Sequence, residues 1–206
     1  MARPFGPGCP GYTVTSPIPR ATYKTMKPIP QYSLVIFPPE GQLDLVKSYK
    51  QLLKDHIGWF GSANAAAHIT IIQFSNEMEF QLYIAQIREC CKNIISQKVT
   101  FNSFANFEQS GAFFIAPDDA SKTYLDNIII AIHEFLGFKI DKQNVNAHMS
   151  IGRKLYGEKM KAAFALFKTF NIDLQFHCKA LYVRKFNQQT KQYSDIVEKI
   201  HFVEST

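Results

Sequence analysis

From Gln31 onward the chain keeps changing its apolar period, and this alternation limits the folds open to it more than any other feature. Short β-rich runs with period two or none are followed by longer stretches in which apolar residues recur every three or four positions. Residues 32–37 (YSLVIF) end at Pro38-Pro39 and read as a buried strand. Residues 41–55 place Leu45, Tyr49, Leu52 and Leu53 on one helical face. A second strand is expected over 67–74 (AHITIIQF), then a helix over 77–96 with Phe80, Ile84, Ile87, Cys91, Ile94 and Ile95 inward. Asn76 suits its N-cap, with Glu79 as the partner three residues on. A hairpin follows over 99–107 and 112–116, turning at Glu108 to Gly111. Leu125, Ile128, Ile129, Ile132, Phe135 and Leu136 then define a helix over 120–136, stopped by Gly137. A short strand at 147–151, a helix at 157–169 around Met160, Phe164 and Phe167, and a hairpin over 172–185 and 192–202 complete the chain. The result is an α+β chain of about seven strands and four helices, lacking the parallel βαβ train and glycine-rich loop of a Rossmann or P-loop fold.

The first 30 residues behave differently. They hold seven of the ten prolines, no acidic residue, and Arg3, Arg20, Lys24 and Lys27, without apolar periodicity. We read residues 1–30 as a disordered or extended tail, either a native linker or an artificial extension, and residues 31–206 as one domain. The tail carries four of the six net positive charges, so the folded body is only mildly basic and any anion site must be local. No run approaches the ~20 apolar residues of a membrane span. Cys9, Cys90, Cys91 and Cys178 show no zinc or disulfide spacing, which together with the absence of a signal-peptide run favours a cytoplasmic protein.

Two short motifs carry the chemistry. His68-Ile69-Thr70 and His148-Met149-Ser150 lie 80 residues apart, each after an alanine and each opening an apolar run. On a strand, residues two apart share a face about 6.6 Å from one another, so each motif sets an imidazole beside a hydroxyl while Ile69 or Met149 turns to the buried side. Histidine followed two positions later by Ser or Thr is a weak signal alone; the shared strand context strengthens it. Two imidazoles with pKa values near 6.5 can divide base and acid roles in displacement at phosphorus, with hydroxyls and a cation on the non-bridging oxygens. Arg153, three residues past Ser150, suits the cation role.

At these residues the chain resembles the 2H phosphoesterases, and within them the 2′,5′ RNA ligase-like or RNA 2′,3′-cyclic phosphodiesterase group. The resemblance rests on His68-Ile-Thr70-Ile-Ile-Gln-Phe74 and His148-Met-Ser150-Ile-Gly-Arg153, and extends to residues 107–115 and the strand through Leu181-Tyr-Val-Arg184. It implies a bilobal fold, two antiparallel sheets lining a central cleft with helices outside. It also implies cleavage of cyclic or 2′,5′ phosphodiesters without metal or cofactor. Ser150 stands where the family more often has threonine, which keeps the hydroxyl.

Trp59 and Phe60, in a glycine-flanked loop before His68, and one of Phe113 and Phe114 on their strand are candidates for stacking a base. Lys154, Arg184 and Lys185 extend a candidate anion rim. His56, His133, His177 and His201 lack a hydroxyl two positions on and read as structural or surface residues. The expected substrate is an RNA end or a small cyclic nucleotide, the expected state a monomer. The alternatives are a non-catalytic RNA-end or nucleotide-binding module using the same cleft, and 2′,5′ ligation as the reverse reaction.

Overall fold

A computed structural model describes residues 29–75 and 77–205. The tail up to residue 28, with Cys9, and the expected cap Asn76 lie outside them.

Among the described residues, eight strands form one antiparallel sheet. They are β1 (Tyr32–Ile36), β2 (Ile69–Phe74), β3 (Gln97–Phe107), β4 (Ala112–Pro117), β5 (Met149–Gly152), β6 (Leu174–Cys178), β7 (Ala180–Asn187) and β8 (Gln192–His201). Their order across the sheet is β6-β3-β4-β5-β2-β1-β7-β8. This corrects the expectation of two sheets. The halves β6-β3-β4-β5 and β2-β1-β7-β8 are joined through a single registered pair, Ile69 with Met149. They are lobes of one sheet with a narrow seam.

The expected final hairpin also divides differently. One residue, Lys179, separates β6 on the outer edge of one half from β7 inside the other. Strands at remote positions in the order can be linked so tightly only if the sheet curls until its two ends meet. That closure is tied by Phe202 N–H donating to Lys179 O at 2.8 Å and Ser96 N–H donating to Val203 O at 2.7 Å.

Among the described residues, four α-helices back the sheet: α1 (Glu40–Ile57), α2 (Phe80–Cys91), α3 (Asp119–Phe135) and α4 (Glu158–Phe167). α1 packs on α4 and α2 on α3. The sheet surface beneath α2 carries Tyr32 and Phe74, and that beneath α4 carries Phe113. All belong to one continuous core. Strand alternation turns Ser33, Val35, Thr70 and Phe114 to the opposite, concave surface. Val35 and Phe114 are buried yet stand outside that core, forming the cleft floor. The helical phase of α1 also differs from expectation. Val46, Lys50 and Leu53 are its buried stripe, while Leu45 and Leu52 are exposed. α2 runs from Phe80 to Cys91, shorter at both ends than expected, and the ring of Phe80 stacks on Tyr32 with centroids 4.4 Å apart. Among the described residues no helix is long and apolar enough to cross a membrane. Cys90, Cys91 and Cys178 are buried and unbridged, and burial pushes Cys91 and Cys178 up to about 12.

Two glycines with positive φ separate backbone strain from crowding. At Gly137 (φ 72°) a Cβ would meet nothing within 4 Å, whereas at Gly111 (φ 65°) it would lie 2.7 Å from Leu155 O. Gly137→Ala is expected to cost about 1 to 2 kcal/mol, the left-handed penalty alone, and Gly111→Ala clearly more. Removing the seam contact with Ile69→Ala, a fully buried site, is expected to cost about 2 to 5 kcal/mol. Urea midpoints of the three variants measure these values.

Candidate active site

The pairing of Ile69 with Met149 decides what meets at the centre of the cleft. Continued antiparallel, that register sets His68 across from Ser150 and Thr70 across from His148. Ile69 and Met149 are fully buried on the helix side, so their four neighbours share the concave side. The imidazoles become diagonal neighbours, on the order of 7 to 8 Å apart in a regular ladder. Each histidine directly precedes its strand.

Both imidazoles are held in the same way. His68 Nδ1 lies 2.7 Å from Ala66 O and His148 Nδ1 lies 2.8 Å from Asn146 O, each the carbonyl two residues back. A carbonyl only accepts, so Nδ1 carries the proton and Nε2 remains for other partners. The two rings differ electrostatically. Burial pushes the His68 pKa down to about 3, aided by the charges of Arg184, Lys50 and Arg153 and opposed by the Ala66 hydrogen bond. His148 is also lowered by burial and by Arg153, but its bond to Asn146 and the Asp126 carboxylate oppose the shift.

Two groups that sequence reasoning missed position these histidines. Lys50, buried in the α1 stripe, donates Nζ to Ala65 O at 2.7 Å and to Ser62 O at 3.2 Å, fastening the loop that leads into His68. Its burial lowers its pKa to about 8. The available signal was a lysine spaced between Val46 and Leu53. Asp126 of α3 accepts from Ala147 N–H at 2.7 Å, directly before His148, and pairs with Lys122 one turn earlier.

The 58–64 loop and the turn bearing Arg153 are joined by Arg153 N–H donating to Gly61 O at 2.9 Å and Ser62 Oγ to Ile151 O at 3.3 Å. The Arg153 side chain is exposed and its charge reaches both imidazoles. Trp59 is exposed in the same loop, but Phe60 is buried and contributes to the core. Phe113 is likewise core, stacked on Phe104 and Phe167. Neither can receive a base, because both are buried in the core. Phe114 lies against His148 with centroids 4.8 Å apart but is almost wholly covered. Phe107, which sequence reasoning passed over, meets His148 edge-on at 5.2 Å and is only half-buried. It pairs with Ala112 across the β3–β4 ladder and so lies diagonal to Phe114, with ring centroids 4.5 Å apart.

Arg184 is buried at 5% exposure rather than forming a rim. Its Cζ lies 5.2 Å from the Phe37 ring centroid, and that ring is 6.3 Å from the His68 ring. One nitrogen donates to Ser33 Oγ at 3.3 Å and Nε is buried without a partner. No carboxylate among the described residues pairs with it. Lys185, in contrast, points to Glu77 at 3.3 Å. The site thus joins two imidazoles and two hydroxyls with nearby cations that lower the pKa of both rings. Among the described residues no three His, Cys, Asp or Glu side chains converge as a metal site would require.

Comparison with known proteins agrees with this architecture. A phosphoesterase structure aligns at TM-score 0.56 and 10% identity over 85% of this chain and 99% of its own. TT0787 of Thermus thermophilus aligns at TM-score 0.57 and 10% identity, covering 85% and 100%. E. coli LigT, in complex with phosphate, aligns at TM-score 0.57 and 8% identity, covering 85% and 98%. At such identities the likeness speaks for the fold alone. No curated protein matches the chain significantly. The family model of the 2′-5′ RNA ligase superfamily matches residues 37–190, both histidine motifs included, and the chain therefore belongs to this superfamily of 2H phosphoesterases.

Proposed function

We propose that this protein is a phosphodiesterase that opens 2′,3′-cyclic phosphate or cleaves 2′,5′-linked RNA-like substrates, with His68 as general base and His148 as general acid. The observation that carries this reading is the seam register, which gathers both imidazoles and both hydroxyls on one concave surface, each ring oriented by its own backbone carbonyl. Solved structures of LigT hold phosphate and 3′-AMP, and a ribonucleotide phosphate is the ligand class we extend to this chain.

The proposed step on a cyclic ester balances simply. A water oxygen bonds to phosphorus as the bond to one ribose oxygen breaks. His68 Nε2 takes the water's proton and His148 gives one to the departing ribose oxygen. Thr70, Ser150 and Arg153 hold the non-bridging oxygens, where charge builds up. With a ribose 5′-hydroxyl in place of water and the 3′ oxygen departing, the same step forms a 2′,5′ bond, and its reverse cleaves one with the acid and base roles exchanged. The acid and base assignment follows from the difference in surroundings: burial and the nearby cations lower the His68 pKa to about 3, while Asn146 and Asp126 oppose the lowering of His148.

His68→Ala and His148→Ala are each expected to lower kcat by about 10²-fold or more, the double variant falling well short of the product because the pair acts as a unit. Near-wild-type turnover in folded single variants would sink the mechanism, as would activity lost in EDTA and restored by Mg²⁺ or Mn²⁺. The pH profile tests the assignment. The productive form needs His68 neutral, which holds above about 3, and His148 protonated, which holds only below a value depressed from 6.5. kcat/KM should therefore be bell-shaped with its optimum on the acidic side of 6.5. Arg153→Ala should reduce kcat and raise KM, and it should also shift the alkaline limb upward, because a charge that lowers the His148 pKa is gone.

A further inference from the structure

The concave surface continues past His148 into a cavity of about 670 Å³ between the β3–β4 turn and the segment before β5. Its chemistry is unlike that of the cationic centre. Carboxamides dominate the lining, with Asn106, Gln109, Gln143 and Asn146 beside the ring of Phe107. It is lined by no lysine or arginine and by one acid, Glu108. The amide of Asn144 is engaged with Asp141, but the side chains of the other four make no hydrogen bond to protein among the described residues. A further phosphate of a nucleic-acid strand would gain no cation there and would face Glu108. A flat neutral heterocycle with donors and acceptors on its edge matches both the open carboxamides and the half-buried aromatic ring.

We propose that this cavity is a nucleobase subsite, which Phe107 walls while Asn106, Gln109 and Gln143 read the base edge. The inference rests on the two-histidine reading for its direction. If His148 protonates the leaving ribose oxygen, the ribose lies against His148, and the base on its C1′ falls on the cavity side. The nucleoside recognised is therefore the one that keeps the phosphate after ring opening. On the His68 side, Phe37 and the buried Arg184 stand close to the ring, and the attacking group there need only be water.

The test compares adenosine 2′,3′-cyclic phosphate with methyl riboside 2,3-cyclic phosphate, which lacks the base. The wild-type protein is expected to favour the nucleotide about 10-fold or more in kcat/KM, the size of one stacked base. Gln109→Ala with Gln143→Ala, and separately Phe107→Leu, which keeps apolar bulk, should bring that ratio toward one. Equal use of both substrates by the wild type, or variants that lower both rates with the ratio intact, would overturn the subsite. Calorimetry with adenosine 2′-monophosphate and ribose 2-phosphate gives an answer independent of turnover. Base-dependent affinity lost in the same variants, in a protein that hydrolyses neither ester, would keep the subsite and reject the catalytic reading. Equal affinity for both ligands would reject the subsite.

Discussion

One backbone contact, the Ile69–Met149 pair, organises the rest of the molecule. Among the described residues it is the one registered pair between strands of the two halves, yet it lies between the two histidine motifs and sets which side chains oppose each other. Because side chains alternate with period two, a one-residue slip on either strand would bury an imidazole under the helices and expose an apolar side chain in the cleft. The apolar requirement of the core thereby enforces the polar arrangement of the site. The one-residue link at Lys179 adds a second constraint, since the sheet must curl to satisfy it, and the curl makes the surface concave.

The electrostatic character of the cleft follows from uncompensated cations. Lys50 and Arg184 are both buried, and Lys50 spends its donors on backbone carbonyls while Arg184 meets a hydroxyl and aromatic rings. A buried charge without a counter-ion is costly, and proteins keep one where it interacts with something else. Here both charges add to burial in lowering the pKa of His68. His148 sits in a milder field because Asp126 approaches it from α3. Two identical side chains with identical backbone tethers are thus separated in acidity by what the two halves of the sheet bring near them.

The concave surface also changes character along its length. Near His68 it is aromatic and cationic; past His148 it becomes neutral and rich in amides. A phosphate ester of a nucleoside has the same division between an anionic group and an uncharged, edge-polar ring.

Much of this was legible in the linear order of residues. All four helices and the strand-forming runs follow from local periodicity and from Gly and Pro punctuation, because those signals act within a few residues. The two His-x-Thr/Ser units and the sidedness of Ile69 and Met149 follow from alternation alone. What depended on partners far along the chain was not legible. The phase of α1 could not be fixed because a buried lysine interrupts its stripe. Phe113 and Phe114 could be known to face opposite ways, but not which way. Neither the joining of the halves into one sheet, nor the burial of Arg184, nor the meeting of Phe107 with His148 leaves a local trace. The sequence by itself determined the elements and the chemistry each could carry. The tertiary structure alone decided which motifs face each other and in what field, because strand register and burial are set by contacts between residues dozens of positions apart.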